Sequence, residues 1–493
     1  MTGGKTYRIL RILSGFLILV SLPVHAQQNN TFYLMHRVPQ SNLLNPAVQI
    51  DCRWYVGIPL LASGHVNYSN TAFTYNNLAG TDTWNLQGVA NQMHRRDLYS
   101  AEAALSLISL GYRRKNTYYT FDISERGQVY SVVPGKLASM AVFGNAPYAG
   151  ELTRFRPLRP AGYYQREYAL GISRSLFPEL KVGIRGKLIF GKAGFYPSSS
   201  DMTFTTDENT FDLLLEGDYT MNSSLPVTIT QDQEGNISDV ELREISLTEF
   251  LLNSGNPGFG IDVGIIYSLS DQIELSASLL DLSVVRWRTD LNNVRVDGTF
   301  TYQGVEAGTD LVSFEFLQEM VDSLMNSFRT EISDSPYFSA VPAQLYLGGK
   351  YRLNQKITLG AVNRNVIFRS KLHTSFTFIL QAELAKRLLA TASWSYLNNS
   401  LANLGAGIAY TGRGLQFHLV TDNLTGFFFP FDTRTVNLRA GVNILLGCPG
   451  GKRDRLPSAS YGSLPSPPGC SRDILFDSRK NKMARAARKM NRK

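Results

Sequence analysis

The chain has 493 residues, of which 43% are hydrophobic, and a formal net charge of +9 at neutral pH. The positive charge lies at the two ends, since residues 451–493 carry +9 and residues 1–26 carry +3, which leaves residues 27–450 with a net charge of −3. An acidic body excludes a nucleic-acid-binding protein, and a mean hydropathy of −0.12, without a long apolar run after residue 26, excludes a bundle of transmembrane helices.

The first 26 residues have the three parts of a secretory signal peptide. A positive start, a short apolar core and a small-residue end occur in turn at Lys5, Arg8 and Arg11, at residues 12–20 and at Val24-His25-Ala26. The apolar core is shorter than the about 20 residues that a membrane anchor needs, so we favour cleavage over an N-terminal anchor helix. The sequence predicts an exported, mature chain that begins at Gln27.

Two segments have helical rather than strand periodicity. Their apolar residues are Leu86, Val89, Ala90 and Met93 in the first segment, and Phe314, Leu317, Val321, Leu324 and Phe328 in the second. We interpret both as short helices that cap or plug a pore, and surface helices packed on loops are the alternative.

The rest of the chain is dominated by segments of about ten residues in which apolar and polar side chains alternate, as in β-strands with one apolar face. In one of them, Val182, Ile184 and Leu188 alternate with charged residues. Fourteen strands are predicted, near 54–68, 101–112, 116–124, 168–176, 181–191, 259–269, 273–285, 343–353, 357–367, 374–384, 390–397, 402–411, 415–422 and 436–447. Strands of this length cross a bilayer when tilted, but a soluble β-sandwich also shows this alternation.

The connections between strands favour a barrel over a sandwich. Short turns such as 269–272 alternate with long connections such as 192–258 and 286–340, which is typical of bacterial outer-membrane barrels. An even strand number places both chain ends on one rim, the periplasmic one, and the short turns near 177–180, 269–272, 353–355 and 411–414 fall on the same rim. The sequence therefore predicts an all-β, transmembrane antiparallel β-barrel. Its predicted parts are a signal peptide at 1–26, an N-terminal segment with the first strand and a plug at 27–100, the barrel at 101–447 and a basic periplasmic tail at 448–493.

Charged residues on the polar faces of the strands are candidates for the barrel lumen. These lumen candidates are Arg185, Lys187, Asp262, Glu383, His418 and Arg439. We expect them to hydrogen-bond one another across a narrow barrel, or to set charge selectivity if they line an open path. Phe427, Phe428 and Phe429 fall in a predicted outer loop and are interpreted as loop or membrane-interface packing, with a hydrophobic gate as the alternative.

The sequence contains no pattern typical of catalysis. It lacks metal-ligand spacing and a glycine-rich phosphate loop, so no catalytic, metal-binding or cofactor-binding residue is predicted. Two histidines, His373 and His418, fall in the predicted barrel. A hydrolase would need a Ser or Asp within hydrogen-bond distance of one of them.

The C-terminal region adds two expectations. An exported chain permits disulfides, and the sequence predicts a bond between Cys448 and Cys470 that leaves Cys52 unpaired, although other pairings stay open. Residues 480–493 form a basic end that we expect to bind an acidic periplasmic protein or an anionic lipid surface. A disordered, solvated tail is the alternative.

An ordered set of short blocks runs through the chain. The blocks are Asn45-Pro46-Ala47, Tyr55 to Pro59, Gly144-Asn145, Glu167 to Gly171, Gly183 to Gly191, Gly258 to Gly264 and Asn437 to Asn443. Together they resemble an uncharacterised domain family of outer-membrane proteins from Bacteroidota-type bacteria, itself similar to the PorP/SprF and FadL/OmpP1 barrels. The resemblance spans about residues 30–447 and implies a monomeric barrel of about fourteen strands with its N-terminal segment near the lumen.

Three hypotheses about function follow. The leading one is a non-enzymatic structural or assembly barrel in the outer membrane, linked to a secretion or motility complex through its tail. The first alternative is a FadL-like transporter of hydrophobic small molecules, which predicts a plugged lumen with an apolar pocket and a lateral opening. The second, disfavoured alternative is an outer-membrane hydrolase.

Overall fold

The computed structural model describes residues 29–78, 85–94, 96–154, 159–233, 235, 237–302, 328–368 and 371–449. Its main feature is a ring of fourteen antiparallel strands. In chain order these are β1 (Trp54–Gly57 and Gly64–Asn70), β2 (Asp97–Arg114), β3 (Thr117–Val133), β4 (Ala161–Ser175), β5 (Leu180–Thr206), β6 (Asn256–Ser268), β7 (Ile273–Trp287), β8 (Gln344–Arg352), β9 (Ile357–Phe368), β10 (Lys371–Ala385), β11 (Leu388–Leu397), β12 (Ser400–Thr411), β13 (Leu415–Thr421) and β14 (Thr435–Leu446).

The ring closes between the first and last strands. Strand β1 pairs with β2 on one side and with β14 on the other, where Trp54 lies opposite Leu446. Every strand of the ring is therefore hydrogen-bonded on both sides, as a barrel in hydrocarbon requires. This confirms the predicted fold class and the count of fourteen strands.

The outer face of the barrel is apolar. Along β5, Ile184 and Leu188 are 47% and 58% exposed, whereas Arg185 and Lys187 between them are 2% and 6% exposed. Similar exposed side chains, such as Leu170 and Phe378, occur around the ring. Apolar side chains that point outward while charges point inward are the reverse of a soluble β-sandwich, so that alternative is wrong.

Strand β1 is interrupted, although the sequence predicts it as one strand over 54–68. Residues 58–63 separate its two halves and still hydrogen-bond to β2 and β14, while Leu60, which has a left-handed φ of 64°, and Leu61 project outward. Pro59 has no backbone N–H to contribute to the ladder. The first strand therefore carries an outward bulge in the middle of the wall.

The two rims of the barrel differ. One rim, called the short-turn rim, has connections of two to four residues, such as 115–116, 176–179 and 269–272. The opposite, long-loop rim bears further strands within the predicted loops. Strand β5 continues beyond the wall and begins a four-stranded extension with Leu213–Ser224, Asn293–Tyr302 and Phe328–Ser333. Smaller elements on this side are the hairpin of Val227–Gln231 with Ile237–Leu242 and the strands Leu152–Arg154 and Tyr337–Ser339.

Helices are short. Their bounds are Asn30–Tyr33, Tyr75–Leu78, Leu86–Gln92, Gly135–Phe143, Leu247–Leu252 and Leu424–Phe428, with 3-10 turns at Pro39–Leu43, Ala146–Tyr148 and Pro430–Asp432. The predicted helix after Trp84 is present as Leu86–Gln92 and packs on Gly135–Phe143 in the loops of the long-loop rim. Most of the other predicted helix, 313–327, lies outside the described residues. No helix of the described chain is long and apolar enough to span a bilayer.

Candidate functional site in the barrel lumen

Residues 29–50, called the plug segment, lie inside the barrel. Asn30 donates through Nδ2 to Ser375 on β10 at 3.0 Å, while Gln49 donates to Ser173 on β4, on a distant part of the ring, at 3.0 Å. A segment that hydrogen-bonds to well-separated parts of a closed wall occupies its lumen. Its side chains are accordingly buried, and Asn30, Tyr33 and Ala47 are fully enclosed.

The inner end of the plug segment is held by a carboxylate. The backbone N–H groups of Asn30 and Thr31 donate to Asp422 at 3.2 and 2.7 Å, which satisfies donors at the start of the helix Asn30–Tyr33 that have no partner within the helix. The Thr31 hydroxyl lies 2.7 Å from the hydroxyl of Ser393 on β11. This end of the segment is therefore fixed to the wall entirely by reversible, non-covalent contacts.

The Asn-Pro-Ala triplet forms the turn by which the segment leaves the lumen. Asn45 Oδ1 accepts a hydrogen bond from the Ala47 N–H at 3.0 Å, and Asn45 Nδ2 donates to the carbonyls of Ile265 and Ala277 at 3.3 Å each. The side chain thus shapes its own turn and also binds strands β6 and β7. The triplet that contributes to the family resemblance therefore shapes the turn and fixes it to the wall.

Glycines in the wall make room for this turn. A Cβ atom at Gly183 would lie 2.1 Å from the Pro46 carbonyl oxygen, and one at Gly264 would lie 2.1 Å from Asn45 Oδ1. Real Cβ atoms do not approach other atoms so closely, so any larger residue at these two positions would displace the turn. The wall and the plug segment therefore fit each other at backbone level.

One half of the lumen wall, formed by β7 to β13, carries a cluster of seven buried apolar side chains beside polar ones such as Ser375 and Thr377, and it is called the apolar half. Its buried side chains are Leu280, Tyr346, Val362, Ile379, Leu389, Ala409 and Val420, which pack on Phe32, Tyr33, Leu34, Met35, Val38 and Leu44 of the plug segment. Tyr33 stacks on Tyr346 with ring centroids 4.8 Å apart. The plug segment therefore keeps water from an apolar surface inside the barrel.

The other half, formed by β2 to β7, contains a buried charge cluster. Its members are Glu102, Arg126, Glu167, Arg185, Lys187, Asp262 and Asp281, and none is more than 9% exposed. Arg126 contacts Glu102 at 3.0 Å and Asp281 at 2.8 Å. Lys187 contacts Asp281 at 2.7 Å and Asp262 at 2.9 Å. Charges in such an enclosed site require partners, and each cation here has at least one carboxylate.

The charge cluster is joined to the plug segment through one arginine. Arg185 contacts Asp262 at 3.5 Å and donates through Nη2 to the backbone carbonyl of Asn42 at 2.8 Å, and to the Asn42 side chain. The five N–H groups of a guanidinium allow both sets of contacts at once. The position of the plug segment is thus coupled to the charge cluster.

A second charged group holds the plug segment near the short-turn rim. His36 Nδ1 lies 3.2 Å from Glu274 and 2.7 Å from Lys350 Nζ, which itself contacts Glu274 at 3.2 Å. Burial, reinforced by the Lys350 cation, lowers the pKa of His36 to about 4. His36 is therefore a neutral imidazole at neutral pH.

The six predicted lumen candidates make different contacts in the structure. Arg185, Lys187 and Asp262 belong to the charge cluster. Arg439 donates to Asn29 Oδ1 at 2.8 Å and His418 stacks on Phe32 at 5.3 Å, so both contact the plug segment. Glu383 is the most exposed of the six and pairs with Arg37 at 3.2 Å on the short-turn rim. Glu102, Arg126 and Glu167 were missed, although the alternation within 97–133 and 161–175 places them on inward faces.

The predicted disulfide is wrong in its pairing. Cys52 is bonded to Cys448, whereas Cys470 lies outside the described residues. The reason is barrel closure, because the pairing of Trp54 with Leu446 brings the residues two positions beyond each of them together. The bond therefore joins the exit of the plug segment to the end of the last strand.

The two remaining candidate groups have different surroundings. Phe427, Phe428 and Phe429 are between 45% and 64% exposed near the long-loop rim, and their role as a gate stays a prediction. His373 and His418 are buried. Within the described chain, neither ring nitrogen of His418 has a hydrogen-bond partner, so it lacks the Ser or Asp that a hydrolase would need at this position.

Residues 46–422 match a family described as "Family of unknown function (DUF5723)". No curated protein matches the chain. Solved structures with a similar fold include the Ralstonia pickettii toluene transporter TbuX, with 9% identity, 82% of this chain and 91% of that chain covered and a TM-score of 0.38. Another is a Pseudomonas aeruginosa FadL homologue, with 10% identity, the same coverage of 82% and 91% and a TM-score of 0.32. Similarities at this level assign no ligand to the present chain.

Proposed function

Because the chain belongs to the DUF5723 family, whose function is unknown, we propose a function from the lumen itself: an outer-membrane channel in which the plug segment controls the passage of small apolar molecules. The closed ring of strands with an apolar exterior supports a location in an outer membrane, where barrels of this kind are found. The predicted signal peptide is consistent with that location.

One observation carries the proposal. The plug segment covers the seven apolar side chains of the apolar half, and a plain polar pore would not need them. When the plug segment moves aside, these side chains line a concave apolar surface, and pockets for apolar molecules are lined in this way. The solute class is therefore apolar, and charged solutes would meet the charge cluster on the opposite wall.

The contacts of the plug segment permit such movement. Its inner end is held by hydrogen bonds and apolar packing, whereas its other end is covalently tied to the short-turn rim through Cys52 and Cys448. A segment tethered at one end can leave its site without leaving the protein. The hydrogen bond from Arg185 to the Asn42 carbonyl fixes the place of the plug segment while it covers the wall.

A reversible crosslink tests the proposal. Thr31→Cys with Ser393→Cys, in a Cys470→Ser background, places two thiols where the hydroxyls are 2.7 Å apart. Oxidation then locks the plug segment on the wall and reduction releases it. Entry of the apolar dye N-phenyl-1-naphthylamine is measured in whole Gram-negative cells that express the variant, because such dyes cross simple lipid bilayers unaided.

We expect oxidation to slow dye entry at least five-fold and reduction to restore it. The matched control carries Thr31→Cys alone, which reports any effect of the reductant on the native disulfide. Arabinose uptake serves as the polar reference. Equal dye entry in the oxidised and reduced states, or an equal rise in arabinose and dye entry on reduction, would contradict the proposal.

The assembly role remains a prediction from the sequence. The basic residues that would bind a periplasmic partner, 480–493, lie outside the described residues. Nothing in the lumen bears on that role, and the family match does not support the resemblance to PorP/SprF barrels. We therefore place it second to the channel proposal.

A further inference from the structure

Two arginines face outward at the short-turn ends of three adjacent strands. Arg114 of β2 lies opposite Thr117 of β3, which in turn lies opposite Arg174 of β4. Residues that lie opposite one another in antiparallel strands share a face of the sheet, with their Cβ atoms about 5 Å apart. Tyr118 and Ser173, the chain neighbours of Thr117 and Arg174, are buried and face inward. The three residues, called the arginine row, therefore face outward, and both arginines are exposed.

Two apolar rows adjoin the arginine row on its membrane side. Going into the membrane, the same strands carry Tyr112, Tyr119 and Ile172, and then Leu110, Phe121 and Leu170. Two residues along a tilted strand correspond to about 5 Å across the wall. Aromatic side chains on a barrel mark the boundary between headgroups and hydrocarbon. The arginine row, which is one step beyond the aromatic side chains, therefore lies at the depth of lipid headgroups.

Four other strands have leucine at the level where β2 and β4 have arginine. The outward side chains at the short-turn ends of β6, β8, β13 and β14 are between 48% and 57% exposed and belong to Leu269, Leu353, Leu415 and Leu446. Other cations of this rim, such as Lys386 and Arg387 between β10 and β11, lie in the turns themselves. The outward-facing arginines are therefore a local feature of the wall and not a general property of the rim.

The cations of the arginine row are available to a ligand. Within the described residues, neither Arg114 nor Arg174 forms an ion pair, whereas the inward-facing Arg113 is paired with Asp51 at 2.9 Å. Lys115, in the turn 115–116, adds a third exposed cation. A guanidinium presents parallel N–H groups that match the oxygens of a phosphate. The row itself contains no carboxylate, so it favours a ligand with a net negative charge over a zwitterion.

We propose that the arginine row binds the headgroup of an anionic phospholipid such as phosphatidylglycerol. The phosphate lies between Arg114 and Arg174, beside the Thr117 hydroxyl, and the acyl chains lie along the two apolar rows. With the short turns on the periplasmic side, as is typical of bacterial barrels, the row faces the phospholipid leaflet of the outer membrane. The proposal rests on the membrane location given under the proposed function, but it does not depend on the passage of any solute through the lumen.

The first test compares two lipids with identical dioleoyl chains. Their binding to the purified full chain in detergent is measured by native mass spectrometry. We expect phosphatidylglycerol to bind at least five-fold more tightly than phosphatidylethanolamine, because only the former leaves a net negative charge beside the arginines. A large excess of inorganic phosphate should not displace it, since free phosphate lacks the chains that the apolar rows contact. Equal binding of the two lipids, or displacement by phosphate, would overturn the proposal.

Variants locate the site. Arg114→Gln with Arg174→Gln should weaken phosphatidylglycerol binding at least five-fold. The matched control, Lys386→Gln with Arg387→Gln, removes the same charge from a turn of the same rim and should change binding less than two-fold. The basic residues 480–493 are present in every variant, so any attraction they exert on anionic lipid cancels in the comparison. Equal losses in the two double variants would show a diffuse attraction to the rim and would overturn the proposal, as would unchanged binding in the arginine variant.

Discussion

The two halves of the lumen wall fill the interior of the barrel in different ways. The half from β2 to β7 fills its interior with the charge cluster, in which Arg126, Lys187 and four carboxylates neutralise one another. The apolar half fills its interior with the plug segment, which Tyr33 and Phe32 press against aliphatic and aromatic wall side chains. An inward-facing side chain is therefore apolar where an apolar side chain of the plug segment packs against it, and charged where an opposite charge lies in contact with it.

This difference separates a fixed part of the barrel from a movable one. Cations and carboxylates of the charge cluster are contributed by six neighbouring strands, so they cannot separate without opening the wall. The plug segment contacts the apolar half by packing and by hydrogen bonds such as that between Asn30 and Asp422. The charge cluster is suited to hold the barrel together, and the apolar half is suited to be covered and uncovered.

The largest effect should come from breaking the charge cluster. Arg126→Met leaves Glu102 and Asp281 without their shared cation, and removing one member of a buried ion pair costs about 3 to 5 kcal/mol. Urea unfolding of the reconstituted barrel, followed by electrophoretic mobility, measures the loss. Arg295→Met is the matched control, because Arg295 pairs with Asp218 at 3.1 Å while both side chains are nearly half exposed, so that solvent screens the pair and its loss should change the free energy of unfolding little. Equal losses in the two variants would show that the charge cluster does not stabilise the barrel.

The second-largest effect should come from a charge placed on the lipid-facing side of β5, whose inward-facing side belongs to the charge cluster. Ile184→Arg places a charge on the lipid face of β5 next to inward-facing Arg185, and such a charge near mid-membrane should cost about 2 to 4 kcal/mol. The free energy of unfolding in phospholipid vesicles measures it. Ile184→Leu should be nearly neutral. An arginine that is tolerated as well as leucine would mean that this face does not contact hydrocarbon.

The sequence predicts the barrel far better than it predicts the lumen. Alternation identifies all fourteen wall strands, because every strand has an apolar face toward lipid. It does not identify the apolar half, since Val362 and Ile379 face inward against a plug segment that itself shows no regular periodicity. Strand bulges add a second limit, because Leu280 and Asp281 both face inward where the pairing of β6 and β7 shifts register.

The disulfide and the way the plug segment fits the wall could not be predicted from the sequence for a related reason. The partner of Cys52 depends on closure of the ring between β1 and β14, which is a property of the whole barrel and not of any local spacing. Likewise, Gly183 and Gly264 look like ordinary strand glycines until Pro46 and Asn45 are placed against them. Local sequence patterns indicate whether each face of a strand contacts lipid or a polar interior. They do not indicate which distant segment fills the lumen.

A smaller effect should come from disturbing the fit of the plug segment alone. Gly183→Ala places a Cβ atom against the Pro46 carbonyl, and overpacking of this kind costs about 1 to 3 kcal/mol. We expect faster hydrogen exchange in residues 29–50 and faster entry of N-phenyl-1-naphthylamine, while the barrel stays folded. Gly186→Ala on the same strand is the control, because nothing lies within 4 Å of a Cβ atom there. Equal exchange in the two variants would show that the turn at Pro46 does not fix the plug segment.

The smallest effect concerns pH and the short-turn end of the plug segment. His36 is neutral while docked, with its pKa lowered to about 4 by burial beside Lys350, but a released segment should have an ordinary histidine pKa of about 6.5. The released state therefore binds the extra proton, so the contribution to docking is complete above pH 6.5 and is lost as the pH falls from 6.5 towards 4. Between pH 7.5 and 5.5 docking should weaken by about 1.4 kcal/mol.

Hydrogen exchange over residues 29–40, corrected for the intrinsic pH dependence of exchange, measures this change. Besides His36, the groups that titrate or carry charge at this end are Glu274, Lys350 and Lys181, so acidification alone does not identify the histidine. His36→Gln separates them, because it keeps a neutral hydrogen-bonding side chain between Glu274 and Lys350 and removes only the proton site. The pH dependence should disappear in this variant; if it persists, the weakening arises from Glu274 or the lysines and the plug segment is not released through His36.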